Sequence, residues 1–375
     1  MNFSLASSDH LKSALASSLR AGVGQVLRWA PTQVWRELFP KTAVGLCYHM
    51  VSDTPLPHLK HYPELSSADF EADLIYLQKN FGFVSYEQLV RRRSCPKVVR
   101  DNPVMLTFDD GFAECANVAA PILLRHGASC VFFVITDLID NAVVFRESKA
   151  SLCIEAILRL PIENVDAIVR DLALDARFPS PPERSLFGPA NLPLDIANFG
   201  RQIDPRLRPL LHWLLTIAQA EEPLVDRLCT RLNVDLQGYQ SQVQPYLTTQ
   251  QIRQLQADGF VIGAHSCSHR KLQGLSQTDA EREIVESCRI VRDLTGQKSV
   301  PFAFPYSGAG IDRKWLAELR RVHHFIGLFF DSGGLIDDER FVVQRVFAER
   351  IGAAKTIDAI LRGAWSRRPA WRRRD

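Results

Sequence analysis

Apolar residues form two alternating patterns along the chain, which predict strands and helices in turn. Short apolar runs at 43–49 ("AVGLCYH"), 104–108 ("VMLTF") and 128–136 ("ASCVFFVIT") predict buried strands. Between them, apolar residues at helical spacing predict helices over 66–82 and 113–127, each ending near a glycine. Strands that alternate with helices at this spacing are typical of β/α units and indicate a mostly parallel sheet or barrel.

The alternation breaks after the third strand. Residues 137–245 contain helical patterns and stretches rich in Pro and Ser, but no convincing strand. The β/α pattern resumes with helices predicted at 248–259, 277–296 and 312–322 and strands at 260–266, 301–306, 324–330 and 341–347. We therefore predict a mainly helical insertion in a β/α domain; whether it is a lid or a helical subdomain stays open.

Composition narrows the class of protein. The chain has 375 residues, of which 46% are hydrophobic, and a net charge of +3, which is typical of a globular protein and argues against nucleic-acid binding. Its eight cysteines include no CxxC pair, and several lie in apolar runs, so we interpret them as small buried side chains. We find neither a secretory signal nor a membrane span, and therefore predict a cytoplasmic protein.

Both ends of the chain are basic. Residues 1–40 combine basic residues with apolar residues at roughly helical spacing, and 351–375 end in an arginine-rich tail after a predicted helix. A basic amphipathic helix either packs on its own domain or lies on an anionic membrane surface. We therefore divide the chain into these two segments and a β/α domain over 41–350, interrupted by the insertion, with peripheral contact at the inner face of the membrane as one alternative.

Polar residues follow four of the predicted strands, where β/α proteins place their functional groups. His49 ends the first strand, and Asp109 and Asp110 end the second. His265 and Tyr306 end two later strands. Adjacent carboxylates repel each other, and a bound divalent cation would relieve that repulsion.

The stretch "HSCSH" supplies two histidines, His265 and His269. Imidazoles four residues apart can face the same way if the segment forms a helical turn. One carboxylate would complete a set of three metal ligands with an open position for water. Ser266 stands where a zinc protease of the HExxH type has glutamate, which excludes that class. Cys267 is an alternative ligand, although we expect its side chain to point away.

These motifs resemble those of the NodB-homology polysaccharide deacetylases, which form carbohydrate esterase family four. "TFDDG" (107–111) matches the first motif of the family, and "HSCSH" (265–269) matches its H-S/T-x-x-H motif. "PFAFPYSG" (301–308) matches the third motif in part. The resemblance covers roughly 43–136 and 246–350, and it implies a distorted (β/α) barrel.

The resemblance also implies an activity, the removal of acetyl groups from N-acetylated sugars of a polysaccharide or glycan precursor. Asp110, His265 and His269 would bind a divalent metal ion, most often zinc. Asp109 would act as the general base on a water molecule that the metal activates. The backbone N–H of Tyr306 would help to hold the oxyanion.

Two departures from the family pattern leave roles open. Ala303 stands where the family has an arginine that orients the base, and the strand "FVVQRVF" carries Arg345 where the family has a general-acid histidine. Both changes resemble an exopolysaccharide-modifying branch that pairs an early "YH" strand with an "FA-aromatic-PY" motif. We therefore predict that His49 is an active-site residue, as the acid or as an orienting group, although a core histidine is the alternative. Arg345 is our hypothesis for the residue that orients Asp109.

Two other functions stay open. Besides the leading function, the sequence fits a catalytically inactive glycan-binding protein of the same fold, or a hydrolase that acts on O-acetyl groups or on other amides. For the leading function, a lipid-linked or nucleotide-sugar precursor fits a cytoplasmic enzyme best. Phe145 and Arg146 either line the rim of the pocket or have no part in it, and Asp331 is predicted to lie in a loop near it.

Overall fold

The computed structural model describes residues 43–63, 65–94, 103–174, 204–334, 338–349, 352–353 and 355–356. The predicted N-terminal segment 1–40 and nearly all of the predicted C-terminal helix and tail, 351–375, lie outside the described residues. The membrane contact proposed for the N-terminal segment therefore stays a prediction. No helix in the described part of the chain is long and apolar enough to cross a membrane.

Seven parallel strands close into a barrel in the order in which they occur along the chain. They are β1 (Val44–Tyr48), β2 (Val104–Phe108), β3 (Cys130–Val134), β4 (Val261–Ala264), β5 (Val300–Ala303), β6 (Ile326–Asp331) and β7 (Val342–Phe347). The barrel closes where β7 pairs with β1, with Gly45 opposite Arg345. The (β/α) barrel predicted from the sequence is confirmed.

Helices pack around the barrel. Their bounds are α1 (Ser67–Asn80), α2 (Tyr86–Ser94), α3 (Ala120–Arg125), α9 (Thr249–Ala257), α10 (Gln277–Thr295) and α11 (Arg313–Val322), where the numbers follow the order of the helices in the described part of the chain. One hydrophobic cluster joins strand residues such as Leu106 and Phe108 to helix residues such as Leu74 and Ile284. The predicted helix over 113–127 begins as a π-helical turn, Cys115–Ala119, before α3.

The barrel interior is filled by the alternate residues of the same strands, because successive side chains of a strand point to opposite faces. Met105, Val131, Phe133, Phe330 and Val343 form a separate buried cluster there. Arg345 is two residues after Val343, so it projects into the same interior, and its side chain is only 1% exposed. A charged residue in this position requires a partner.

The described residues between β3 and α9 form helices and no strand. These helices are α4 (Arg146–Ile157), α5 (Ile162–Asp171), α6 (Arg208–Leu215), α7 (Glu222–Arg231) and α8 (Leu236–Val243). They share a hydrophobic core separate from the barrel, in which Ile154, Trp213 and Val225 are buried. The limits of the predicted insertion, 137–245, stay a prediction, although this separate core favours a helical subdomain over a lid.

All described cysteines are free thiols, and most of them are buried. Cys153 of α4 and Cys229 of α7 place their sulfur atoms 3.3 Å apart in the core of the helical segment. Most of the described cysteines are therefore small buried side chains.

Candidate metal and catalytic site

The polar residues singled out in the sequence meet at one end of the barrel. His49 directly follows β1, Asp109 and Asp110 follow β2, and His265 follows β4. Tyr306 lies three residues beyond the end of β5. Because parallel strands present their carboxyl ends at the same rim, this arrangement follows from the topology of the barrel.

Asp110, His265 and His269 form a compact group of ligand atoms. Asp110 Oδ1 lies 3.3 Å from His265 Nε2 and 3.4 Å from His269 Nε2. The three ligand atoms all lie within 4.8 Å of one another, and all three residues are buried. One carboxylate and two imidazoles are a donor set that zinc and similar divalent cations accept.

The two histidines converge through an irregular loop, not through the helical turn that their spacing suggested. Ser266 has φ 65° and His269 has φ 56°, which no helix contains. The hydroxyl of Ser266 accepts a hydrogen bond of 2.9 Å from the backbone N–H of His269 and closes the turn. Cys267 does not join the group of ligand atoms, because its thiol contacts the backbone oxygen of Glu283 at 3.8 Å.

The protonation and hydrogen bonding of these residues fit a metal ion. His265 Nδ1 lies 2.9 Å from the backbone oxygen of Ala303, which leaves Nε2 free to act as a ligand. Burial lowers the pKa of His269 to about 4, so its imidazole is neutral, as a ligand must be. Asp110 Oδ1 is buried without a hydrogen-bond partner. A buried anionic oxygen in that state is unfavourable unless a cation binds it.

Asp110 has a second neighbour that the sequence did not indicate. The hydroxyl of Tyr62 donates a hydrogen bond of 2.6 Å to Asp110 Oδ2. The two oxygens of this carboxylate therefore have different surroundings, one facing a tyrosine and the other facing the two histidines.

Asp109 is held by Arg345 through two hydrogen bonds. The guanidinium donates to Asp109 Oδ1 at 2.7 Å and to Oδ2 at 2.8 Å, and also to the hydroxyl of Thr107 at 2.9 Å. Burial alone would raise the pKa of Asp109, but the positive charge of Arg345 lowers it below its ordinary value. Two parallel hydrogen bonds from a guanidinium fix both the position and the plane of a carboxylate.

The position of Arg345 depends on its neighbours inside the barrel. Its guanidinium carbon lies 5.2 Å from the centroid of the Phe133 ring and 5.8 Å from that of Phe330, within the range of cation–π contacts. A Cβ atom added to Gly45 would lie 2.6 Å from Arg345 Cγ. The glycine in β1 therefore makes room for the arginine of β7.

Cys47, His49 and Asp109 form a second group whose ligand atoms are close enough to hold a cation. Both oxygens of Asp109 are already occupied by Arg345, and the thiol of Cys47 donates to Oδ2 at 3.3 Å. Burial raises the pKa of Cys47 well above its ordinary value, which keeps it a neutral thiol. A cation at this position would also face the guanidinium, so Asp110 and the two histidines are the better metal site.

His49 forms a pair with Glu349, a residue that none of the motifs indicated. His49 Nδ1 lies 2.7 Å from Glu349 Oε1, and the backbone N–H of His49 donates to Oε2 at 2.8 Å. Its other nitrogen, Nε2, lies 4.0 Å from Asp110 Oδ2. Although burial opposes it, the Glu349 carboxylate raises the pKa of His49 to about 9. The side chain retains 16% exposure.

Tyr306 contacts the beginning of α4. Its hydroxyl bonds to Glu147 Oε1 at 2.7 Å and to a guanidinium nitrogen of Arg146 at 2.7 Å, and these two charged residues pair with each other. The Tyr306 and Phe145 rings lie 4.8 Å and 5.1 Å, respectively, from the ring of His269. Phe145 and Arg146 therefore lie beside the predicted ligands.

Asp331, the last residue of β6, supports the loop that carries Tyr306. Its Oδ1 accepts a hydrogen bond of 2.7 Å from the backbone N–H of Gly308, and Arg313 donates to Oδ2 at 3.0 Å. The neighbouring Ser332 donates to the backbone oxygen of Tyr306 at 2.5 Å. These contacts make Asp331 a support for the loop and give it no contact with the ligand atoms.

Comparisons with known proteins find one family model and several solved structures that are similar to this chain. The family model for polysaccharide deacetylase matches residues 97–163 and 230–324, while no curated protein sequence matches. The structure of Streptococcus pyogenes deacetylase PplD, in complex with acetate, is similar with a TM-score of 0.49 and 15% identity over 85% of this chain and 96% of that chain.

Two further solved structures are similar. IcaB from Ammonifex degensii has a TM-score of 0.46 and 16% identity over 88% of this chain and 100% of that chain. A de-N-acetylase from Aggregatibacter actinomycetemcomitans has a TM-score of 0.46 and 15% identity over 84% of this chain and 99% of that chain. The residues that match the family model include Asp109, Asp110, His265 and His269.

Proposed function

We propose that the chain, which matches the family model for polysaccharide deacetylase over residues 97–163 and 230–324, removes acetyl groups from the N-acetylated sugars of a polysaccharide or glycan precursor. One observation carries the proposal: Asp109, fixed by Arg345, lies beside the ligand group of Asp110, His265 and His269. A base next to a three-ligand metal site is the arrangement that metal-assisted hydrolysis requires.

Asp110, His265 and His269 would hold the metal ion, and one carboxylate with two imidazoles is a donor set that favours zinc. A divalent cation at this site supplies Lewis acidity to a carbonyl group and lowers the pKa of water. The remaining chemistry belongs to the side chains of the chain itself.

Asp109 accepts the proton of the water molecule that attacks the acetyl carbonyl. The charge of Arg345 lowers the basicity of this carboxylate, but it also holds the carboxylate ionised and in one orientation. A base has to be ionised and within reach of the proton before its pKa matters. Arg345 thus takes the orienting role of the arginine that Ala303 replaces.

His49 donates a proton to the departing sugar nitrogen, so that the C–N bond breaks and acetate and a free amine leave. Glu349 holds Nδ1, which directs Nε2 toward Asp110 at the ligand group. A histidine oriented by a carboxylate is a common design for proton transfer. The backbone N–H of Tyr306 assists by stabilising the negative charge that develops on the carbonyl oxygen.

The proposal is tested by metal content and acetate release from the purified protein. We expect about one divalent ion per chain, and acetate release from N-acetylated oligosaccharides that stops with a chelator and returns with Zn²⁺. Release from O-acetylated but not N-acetylated glycans would favour the alternative hydrolase. Glycan binding without acetate release in the presence of metal would favour an inactive binding protein. A protein that binds neither a divalent metal ion nor a glycan would contradict the proposal.

We expect His49→Gln to lower kcat for an N-acetylated sugar by about 10²–10⁴-fold, the usual contribution of a general acid. Glu349→Gln should lower kcat less, by about tenfold, because Glu349 orients the imidazole and raises its pKa but does not transfer the proton itself. Hydrolysis of p-nitrophenyl acetate should be affected less by either variant, because its leaving group needs no proton.

The control for these variants is His126→Gln, which breaks a histidine–glutamate pair (2.8 Å to Glu71) on the outer surface. It should leave both reactions unchanged. An equal loss with the sugar and with p-nitrophenyl acetate would contradict the role of His49 as the acid.

A further inference from the structure

Tyr62 forms a hydrogen bond with only one of the two carboxylate oxygens of Asp110. Its hydroxyl donates to Oδ2 at 2.6 Å, whereas Oδ1 has no hydrogen-bond partner and faces His265 and His269. A carboxylate whose one oxygen accepts a short hydrogen bond presents its other oxygen to a cation and cannot rotate freely. Removing a group that orients a metal ligand in this way typically weakens metal binding by about 10–100-fold.

Tyr62 belongs to segment 57–62, which links β1 to α1 and contains one short turn of 3-10 helix, Pro57–Leu59. The ring of Tyr62 contacts the rings of His49 and Phe112, with centroids 5.1 Å away in both cases. The ring of Tyr62 is therefore packed between His49, which follows β1, and Phe112, which follows β2. The backbone of Tyr62 lies outside the barrel strands.

Helix α4 holds this segment at several points. The hydroxyl of Ser151 accepts from the backbone N–H of Lys60 at 3.1 Å and lies 2.8 Å from His61 Nδ1. The Lys60 ammonium pairs with Glu155 at 2.7 Å. Ser151 is fully buried and His61 nearly so, which protects these hydrogen bonds from competition with water.

The other nitrogen of His61 contacts another helix of this subdomain, α6. Nε2 lies 3.0 Å from the backbone oxygen of Leu214 in α6, so the imidazole bridges α4 and α6. Both nitrogens of His61 are used in these contacts. The helices between β3 and β4 thus determine where segment 57–62 lies.

We propose that Tyr62 is a positioning residue for the metal site, and that the helical subdomain sets metal affinity by holding segment 57–62 through Ser151. The family match does not include Tyr62, since the matched residues begin at 97. The inference rests on the metal-binding part of the proposed function.

The test is the affinity of the full chain for Zn²⁺, measured by competition with a chromogenic chelator. We expect Tyr62→Phe to weaken Zn²⁺ binding by about 10–100-fold, the range found when the partner of a metal ligand is removed. Ser151→Ala should weaken it by a smaller factor, although this residue touches no ligand. The melting temperature of the metal-free protein shows whether each variant is folded.

Two control variants separate this effect from general loosening. Tyr86→Phe removes a hydroxyl that accepts a 3.0 Å hydrogen bond from Leu328, away from the ligands, and should bind Zn²⁺ like the wild type. Lys149→Gln breaks contacts of α4 with Glu222 and Asp226 at 3.0 and 2.7 Å, and should also keep its affinity.

The outcomes distinguish this inference from the proposed function. If the wild-type protein binds no divalent cation, the proposed function itself is wrong. If the wild type binds Zn²⁺ and folded Tyr62→Phe binds it equally well, the role of Tyr62 is overturned while the proposed function stands. Wild-type affinity in Ser151→Ala, or equal losses in Lys149→Gln and Ser151→Ala, would overturn the role of the helical subdomain.

Discussion

Asp109→Asn is expected to lower kcat for acetate release by about 10²–10⁴-fold, while the protein keeps its metal ion. The amide that replaces the carboxylate cannot accept the proton of the attacking water. The metal ligands are unaffected, because Asp109 is not a member of their group. Acetate release and metal content should be measured on the same preparation.

A suitable control is Asp338→Asn, which also removes a carboxylate paired with an arginine, here Arg313 at 2.8 Å. It should reduce activity far less, since Asp338 does not contact the ligand group. Normal acetate release from Asp109→Asn would disprove the assignment of the base. Loss of both activity and metal would indicate that Asp109 is needed for the site to form.

Arg345→Met is expected to destabilise the protein by about 3–5 kcal/mol, because it leaves Asp109 as a buried carboxylate without its counter-charge. Urea unfolding measures this difference directly. In the double variant Asp109→Asn/Arg345→Met the loss should be smaller than the sum of the two single losses, because no unpaired charge remains. Additive losses of stability in the double variant, or an Arg345→Met variant as stable as the wild type, would show that the pair contributes no such coupling.

The barrel could be predicted from the sequence because its strands are buried on both faces. The run at 104–108 coincides with β2, and the run at 43–49 includes all of β1. Helix α1 begins after Ser66, whose hydroxyl accepts from the backbone N–H of Asp69, as a predicted polar cap requires. Helix α2 was not predicted, because three consecutive arginines obscure its apolar face.

Parts of the site were predictable for a related reason. Asp109, Asp110, His265 and Tyr306 are close to strand ends, and in a parallel barrel all such ends meet at one rim. The spacing of the two histidines indicated that they converge. It did not indicate how, since the loop depends on residues with positive φ such as Ser266.

Other parts depend on contacts that no local pattern contains. Glu349 is separated from His49 by 300 residues, and only closure of the barrel brings them together. Tyr62 lies in a segment without strong periodicity, and its hydroxyl reaches Asp110 because helices of the subdomain hold that segment. Tertiary packing determines both contacts, which explains why motifs alone could not reveal them.

The pairing of β7 with β1 has a consequence for synthesis, in which the chain is made from its N-terminus. Every ligand atom lies between Asp110 and His269, but Arg345 and Glu349 are carried by β7 and the residue positions just after it. A nascent chain that ends before 342 thus contains the complete set of proposed ligands, yet neither Asp109 nor His49 has its partner. The last barrel strand to leave the ribosome both closes the barrel and brings these partners, so we expect chains that stop before it to lack the groups that orient the proposed base and acid.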